Sequence, residues 1–213
     1  RRKNARKGLV IKVGVLELQG GFALHHKVLS KMGIKSFPVK KGSDLDSVDG
    51  LIIPGGESST MSFLIDSNQL FDPIKHFSQT KPIMGTCAGL IMMSKQCNDK
   101  KIRTLDLFDV HVSRNAYGRQ VFSETKLVDF FVGNKKVKKV PTTLIRAPQI
   151  TKLGENLMVL GSIGPNPIAI LSKHFLGLTF HPELDGIKIF HEVLFDVESD
   201  VYYKKISKGY HDG

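Results

Sequence analysis

The stretch that most constrains the fold runs from Pro82 to Met93, where one apolar segment ends at Gly85 and another begins after Gly89. This order predicts a strand, a sharp turn and a helix, with Cys87 at the turn. Gly85-x-Cys87-x-Gly89 is the cysteine form of the nucleophile elbow, a turn that lifts a reactive side chain above the end of a strand. The thiol would then lie at a helix N-terminus, whose partial positive charge favours the nucleophilic thiolate. On these five residues alone, a buried and inert cysteine is an equal alternative.

Strand and helix patterns alternate in the part of the chain that precedes this turn. We expect strands at residues 10–18, 34–39 and 50–53, a helix at 22–32 and a short helix at 43–48. Gly33 is a C-cap signal for the first helix, and Pro38 places the second strand at a sheet edge. The alternation predicts βαβ units, which form a parallel sheet with helices on both faces.

The alternation of strand and helix patterns is less regular after the turn at Cys87. Further strands, some of them antiparallel, are predicted at residues 105–113, 127–132, 143–146, 157–162, 168–171 and 175–180. The predicted fold class is therefore α/β, with a three-layer arrangement around a mostly parallel central sheet and a small antiparallel addition.

The composition fits one ordinary globular domain. The chain has 213 residues, 41% hydrophobic and 24% charged, which is enough to bury a sizeable core. We expect a flexible basic arm at residues 1–9, a single domain at 10–200 and a C-terminal tail at 201–213. No apolar run approaches the ~20 residues that cross a membrane, so we expect no membrane association. Two cysteines, Cys87 and Cys97, are too few for a disulfide framework and favour a reducing compartment such as the cytoplasm.

A net charge of +11 raises the question of nucleic-acid binding. Basic residues cluster within the first twelve positions and again at Lys135, Lys136, Lys138 and Lys139. Neither cluster is interleaved with aromatic side chains that could stack on bases, and no zinc-finger, RNP-like or KH-like pattern occurs. We interpret the clusters as a solvated arm and a solvated loop, and expect no nucleic-acid partner.

Two polar segments follow predicted parallel strands, where chemistry gathers in such sheets. They are Leu18-Gln19-Gly20-Gly21 and Pro54-Gly55-Gly56-Glu57-Ser58-Ser59-Thr60. The second is a glycine turn whose hydroxyls are placed to cap a helix beginning near Met61. It lacks the Walker lysine, and Glu57 would repel a phosphate. Its backbone amides are therefore candidate oxyanion donors, with a plain turn and helix cap as the alternative.

The last predicted strand leads into His181-Pro182-Glu183. Residues i and i+2 of an extended chain face the same side, so the imidazole and the carboxylate project together. A carboxylate that holds one imidazole nitrogen leaves the other free to move a proton, as in a catalytic triad. Elsewhere, Arg114 and Arg119 lie in a polar loop where either could bind a carboxylate through its guanidinium fork.

These motifs together carry a resemblance. Gly85-Thr86-Cys87-Ala88-Gly89 and Phe180-His181-Pro182-Glu183 resemble the triad framework of class I glutamine amidotransferases. Within that superfamily the chain resembles the PdxT/SNO family, the glutaminase subunits of pyridoxal 5'-phosphate synthase. The motifs that carry this are Leu18-Gln19-Gly20, Pro54-Gly55-Gly56-Glu57-Ser58, Arg114-Asn115-x-Tyr117-Gly118-Arg119-Gln120 and Ile145-Arg146-Ala147-Pro148.

The resemblance implies a role for each matching residue. Cys87 would be the nucleophile, His181 the general base and acid, and Glu183 the residue that orients His181. The backbone amides of Gly56 and Ala88 would hold the oxyanion. The glutamine-binding positions would be Gly56, Glu57, Ser58, Arg114, Ile145 and Arg146, while Gln19 and Gly55 would support the oxyanion loop and the partner contact.

The resemblance also implies an activity: hydrolysis of L-glutamine, with the ammonia passed to a (β/α)8-barrel synthase subunit that makes pyridoxal 5'-phosphate. No cofactor and no metal are implied. Two alternatives stay open, a glutaminase that serves another synthase, such as that of imidazole glycerol phosphate or guanylate, and a non-catalytic or redox member of the fold. Because Gly55-Gly56 can adopt either peptide orientation at low cost, we also hypothesise that the oxyanion amide faces away until the partner docks.

Overall fold

The computed structural model describes residues 11–114 and 123–206. A seven-stranded sheet forms its centre. Its parallel strands are β1 (Lys12–Leu16), β2 (Lys35–Val39), β3 (Gly50–Ile53), β4 (Ile83–Thr86) and β12 (Phe175–Leu178). The antiparallel strands β10 (Met158–Ile163) and β11 (Asn166–Ser172) extend it beyond β12, which gives the strand order β10-β11-β12-β4-β3-β1-β2. The mostly parallel sheet with an antiparallel addition is thus confirmed, and β2 lies at the edge that Pro38 predicted.

Residues of the central strands point alternately into two separate hydrophobic cores. On β3, Leu51 and Ile53 belong to one core and Ile52 belongs to the other. All four residues of β3, β4 and β12 are buried, as expected for strands that are covered on both faces. The sheet is therefore the middle layer of three.

Helices cover both faces of the sheet. The core that contains Leu51 includes residues of α2 (Ser58–Ser67), α3 (Phe71–Ser78), α4 (Ala88–Met93) and a 3₁₀-helix (Gly42–Ser47). The core that contains Ile52 includes residues of α1 (Phe22–Lys31), α5 (Ile189–Phe195) and α6 (Tyr203–Ile206). Val201, Tyr202 and Tyr203 are buried in this second core, so we place the end of the packed domain beyond residue 200.

Two smaller sheets flank the central one. One contains β5 (Ser94–Cys97), β6 (Phe108–Ser113) and β9 (Gln149–Leu153), and the other is the antiparallel pair of β7 (Glu124–Val132) and β8 (Lys135–Leu144). The lysine cluster at residues 135–139, interpreted above as a loop, was assigned wrongly, because it forms the first half of β8. Val128, Phe130 and Val132 of β7 pack into the second core and hold this hairpin against the domain.

Helix α2 begins earlier than the sequence indicated, at Ser58 and not near Met61. Its N-cap is Glu57, whose carboxylate accepts hydrogen bonds from the backbone N–H groups of Ser59 and Thr60 at 3.2 and 2.6 Å. The hydroxyls of Ser59 and Thr60 donate to the same carboxylate and do not cap the helix themselves. Among the described residues, no helix is long and apolar enough to cross a membrane.

Candidate active site

The turn between β4 and α4 holds Cys87 in a strained backbone conformation, with φ of 49° and ψ of −105°. Its backbone N–H donates to the Leu178 carbonyl of the neighbouring strand β12 at 2.8 Å. The flanking glycines are required by packing: a Cβ on Gly89 would lie 1.9 Å from the Ile53 carbonyl oxygen, and one on Gly85 would lie 2.6 Å from the Gly89 carbonyl oxygen. A strained non-glycine residue that its surroundings hold this firmly is typical of a functional position.

Cys87, His181 and Glu183 lie together in one pocket. The thiol of Cys87 is close enough to the His181 imidazole to raise its pKa. On the other side of the ring, Nδ1 of His181 lies 2.8 Å from Oε1 of Glu183, a carboxylate side chain that is only 1% exposed. The nucleophile, base and orienting carboxylate that the sequence suggested therefore lie together.

The charge state of His181 follows from these two contacts. Burial disfavours the imidazolium, but the hydrogen bonds with Cys87 and Glu183 outweigh it and raise the pKa of His181 from 6.5 to about 10. The imidazolium is thus the stable form of His181 at neutral pH.

Two loops meet beside this group. The loop after β1 and the glycine turn after β3 are joined by a hydrogen bond from the Gly21 N–H to the Gly55 carbonyl, at 2.9 Å. The side-chain amide of Gln19 also donates to the Glu57 carbonyl at 2.9 Å. A Cβ on Gly55 would lie 2.3 Å from Cε1 of His181, so only glycine fits between this loop and the imidazole.

Glu57 and Arg114 form an ion pair at the rim of the site. The Arg114 guanidinium donates to Glu57 at 3.1 Å and to Asp99 at 3.0 Å. Glu57 is partly desolvated, but hydrogen bonds from the Ser59 and Thr60 side chains and backbone lower its pKa to about 2. The Arg114 guanidinium, which was predicted to bind a substrate carboxylate, therefore already donates to two carboxylates of the protein. Residues 115–122, which include Arg119 and most of that polar motif, lie outside the described residues.

The end of β8 brings Ile145 and Arg146 to the thiol. The Ile145 carbonyl lies 3.8 Å from the Cys87 sulfur, and Arg146 has a φ of 44°, which is rare for a residue with a side chain. The backbone N–H of His181 donates to the Thr143 carbonyl at 3.1 Å, and Asp185 accepts hydrogen bonds from the backbone N–H and the hydroxyl of Thr143. The segment that carries Ile145 and the segment that carries His181 are thus fixed to each other.

These residues line one pocket of about 280 Å³. The positions predicted from sequence that line it are Gly55, Gly56, Glu57, Ser58, Cys87, Ala88, Arg114, Ile145, Arg146, His181 and Glu183. Gln19 does not line the pocket but supports the turn from behind, since a Cβ on Gly56 would lie 2.3 Å from its amide nitrogen. Within residues 11–114 and 123–206, no group of three His, Cys, Asp or Glu side chains is arranged to hold a metal ion.

Several residues at the site were not identified from the sequence. Gly21, Leu24, Ile91 and Leu184 also line the pocket. Behind Glu183 lie two fully buried histidines, His25 and His191. His25 shares the buried face of α1 with Val28 and Leu29, and this i, i+3, i+4 spacing was a readable signal.

Comparisons with known proteins identify the family of this chain. The family model described as the SNO glutamine amidotransferase family matches residues 15–198. A protein of Oenococcus oeni named "Pyridoxal 5'-phosphate synthase subunit PdxT" is 41% identical over 204 residues, covering 94% of this chain and 98% of the relative. A protein of Halalkalibacterium halodurans with the same name is 43% identical over 185 residues, covering 86% and 92%.

A solved structure described as a glutamine amidotransferase superposes on this chain with a TM-score of 0.78 at 34% sequence identity, covering 85% of this chain and 96% of the other. By sequence and by fold, this chain belongs to the SNO glutamine amidotransferase family.

Proposed function

We propose that this chain is the glutaminase subunit of pyridoxal 5'-phosphate synthase, and that it hydrolyses L-glutamine to glutamate and ammonia. The observation that carries the proposal is that Cys87 and His181 line one pocket and that His181 is held by Glu183 at 2.8 Å, in a chain whose relatives carry the name of that subunit. Cys87 is the nucleophile, His181 moves the proton and Glu183 orients His181.

The first half of the reaction forms a thioester. The Cys87 thiolate attacks the side-chain carbonyl carbon of glutamine, and the backbone N–H groups of Gly56 and Ala88 stabilise the resulting oxyanion. The raised pKa of His181 supports its role as the acid, because the imidazolium is available at neutral pH to protonate the leaving nitrogen. The C–N bond breaks, ammonia leaves and a glutamyl thioester remains on Cys87.

The second half returns the enzyme to its starting state. Neutral His181 takes a proton from a water molecule, the hydroxide adds to the thioester carbonyl, and the C–S bond breaks to release glutamate and the thiolate. Glu183 stabilises the imidazolium in both halves without taking its proton, as carboxylates do in triads of this type.

The charged rim of the pocket suits an amino acid that carries both charges. The lowered pKa of Glu57 keeps it ionised, so its carboxylate gives the rim a negative charge that attracts the substrate ammonium even though it also accepts from Ser59, Thr60 and Arg114. Among the described residues, Arg114 donates to Glu57 and Asp99 with two of its five N–H groups, and its other donors, with Arg146, are the proposed partners of the substrate carboxylate. Gly56, Ser58 and the backbone of Ile145 complete the proposed binding site.

The partner in this proposal is a (β/α)8-barrel synthase subunit. Free ammonia in water is protonated and lost by diffusion, so a route that joins the pocket to the synthase would protect it. A reducing compartment such as the cytoplasm suits a free catalytic thiol, and both described cysteines are free.

Docking of the partner is also proposed to set the oxyanion hole. In a trans peptide the N–H and C=O groups point in opposite directions, so the hydrogen bond from Gly21 to the Gly55 carbonyl also fixes the direction of the Gly56 N–H. The loop after β1, through Gly21 and Gln19, would transmit docking to this peptide.

The test is glutamate release from glutamine, measured for this chain alone and with the barrel synthase. The complete complex is expected to release glutamate and to form pyridoxal 5'-phosphate with glutamine as the nitrogen donor. Cys87→Ala should abolish glutamate release but still bind the synthase. Turnover by Cys87→Ala, or a wild-type complex that forms the product only from added ammonia, would refute the proposal; equal turnover with and without the synthase would refute the control by docking.

A further inference from the structure

The second oxygen of Glu183 faces a buried histidine. Oε1 of Glu183 accepts from His181, whereas Oε2 is buried and has no hydrogen bond of ordinary geometry with any described residue. Nε2 of His25 lies 3.5 Å from Oε2, and His25 is fully buried. A buried carboxylate oxygen without a donor is costly, so a nitrogen at this distance is more than a packing neighbour.

His25 is itself held by a second buried histidine. Its Nδ1 lies 3.1 Å from Nε2 of His191, so one of these nitrogens donates and the other accepts. Nδ1 of His191 lies beside the backbone of Ile187 but makes no hydrogen bond of ordinary geometry within the described part of the chain. The carboxylate at the other end of this chain, beside His25, therefore decides between the tautomers.

One tautomer of His25 fits both neighbours. If His191 donates to Nδ1 of His25, the proton of His25 lies on Nε2 and points to Oε2 of Glu183. The hydroxyl of Thr86, the residue before the nucleophile, lies 3.4 Å from the same nitrogen and can share this proton. The reverse tautomer would aim a lone pair at an ionised carboxylate, which is repulsive. Burial keeps both imidazoles neutral, since it lowers the pKa of His25 and that of His191.

We propose that His25 is a positioning residue for the reaction: its Nε2–H, favoured by the carboxylate that it faces and matched by His191 at its Nδ1, holds Oε2 of Glu183 and thereby aims Oε1 at His181. The contact shortens to ordinary hydrogen-bond length when the substrate is bound, as catalytic hydrogen bonds often do. This inference rests on the proposed function, and it extends the triad by two side chains that do not line the pocket.

The test compares two replacements of His25. His25→Leu removes the donor, whereas in His25→Gln the side-chain amide nitrogen can take the place of Nε2. With the synthase present, His25→Leu should lower kcat for glutamine by about 10- to 100-fold, the range typical of residues that orient a functional group. KM should change by less than about threefold, because no substrate contact is lost. His25→Gln should recover most of the lost kcat.

His26→Gln is the matched control. His26 is the next residue on the same helix and also pairs with a carboxylate, Glu17, at 2.8 Å. That pair does not contact the triad, so His26→Gln should leave kcat unchanged.

A second readout does not depend on glutamine turnover. The rate at which iodoacetamide alkylates Cys87 follows the thiolate fraction, which the His181 imidazolium favours. In His25→Leu the imidazolium loses its aligned partner, so the midpoint of alkylation against pH should move to higher pH. A packing role for His25 would lower thermal stability and leave this midpoint in place.

Three results would overturn the proposal: wild-type kcat in folded His25→Leu, equal loss of kcat in the Leu and Gln variants, or an unmoved alkylation midpoint. If His25→Leu does not fold, the same comparison can be made at His191, which contacts His25, with His191→Leu and His191→Gln. Equal kcat in those two variants would overturn the proposal. A wild-type complex without glutaminase activity would refute the proposed function instead, while the alkylation midpoint would still test the positioning of Glu183.

Discussion

Replacing Glu183 with glutamine removes one charge and almost no volume. The carboxylate accepts from His181 at 2.8 Å on one oxygen and faces His25 at 3.5 Å on the other. A glutamine amide has only one oxygen. If that oxygen faces His181, the NH₂ group meets the Nε2–H of His25, and if the amide is turned round, the NH₂ group meets the Nδ1–H of His181. Both orientations therefore place two donors against each other.

The size of the effect follows from the lost interaction. A hydrogen bond to a charged group contributes about 1.5–3 kcal/mol. At about 1.36 kcal/mol per factor of ten, this is a loss of roughly 10- to 150-fold in kcat. If the amide turns and imposes the wrong tautomer on His181, the loss should approach about 10⁴-fold, as in triads that lose their carboxylate.

The assay is glutamate release by the complex with the synthase, measured for Glu183→Gln and for the control Glu17→Gln. Glu17 pairs with His26 at 2.8 Å, so the control also removes a carboxylate from a histidine, at a pair that does not line the pocket. We expect wild-type kcat from the control. A folded Glu183→Gln variant within about threefold of wild type would refute the role of the carboxylate, because even the weakest estimate is about tenfold.

Three further predictions follow from the same geometry. Gly55→Ala would place a Cβ 2.3 Å from Cε1 of His181 and should lower kcat up to about 100-fold, as misplacement of a catalytic group does. In Gly21→Ala the nearest contact of the new Cβ is at 3.9 Å, so kcat should fall only slightly. Equal kcat in the two variants would refute the contact. Glu57→Ala removes the N-cap of α2 and should lower the free energy of unfolding in urea by about 0.5–2 kcal/mol, and an unchanged value would show that the cap is dispensable. Because the pKa of His181 is raised to about 10, its imidazolium persists through neutral pH, so kcat/KM should fall only as the pH approaches 10; a fall centred near 6.5 would contradict the coupling.

The sequence was most informative where a residue has few structural options. Gly85 and Gly89 are needed because a Cβ at either position would collide with backbone, and that requirement made the turn around Cys87 recognisable. His181 and Glu183 were recognised as a pair, but the reason given from the sequence, alternation along an extended chain, was wrong. The last strand ends at Leu178, and a turn that begins at Pro182 brings the imidazole and the carboxylate together. Such local constraints involve residues that are close together in the sequence.

Features set by long-range packing were not recoverable in this way. In residues 135–139 of β8, no side chain is buried, so no alternating pattern separated a strand from a loop; pairing with β7 decides its conformation. Asp99 contacts Arg114 from 15 residues away, and His191 meets His25 across 166 residues. A lone histidine in a helix is ambiguous until the fold supplies its partners.

The most direct test of the central claim is covalent capture of the nucleophile. A glutamine analogue with a diazoketone in place of the carboxamide should alkylate one residue in the complex with the synthase. We predict a single adduct on Cys87, identified by peptide mass spectrometry, which excess glutamine prevents and which Cys87→Ala lacks. An adduct on Cys97 in its place would contradict the account. So would glutamine turnover that continues after Cys87 has been fully alkylated.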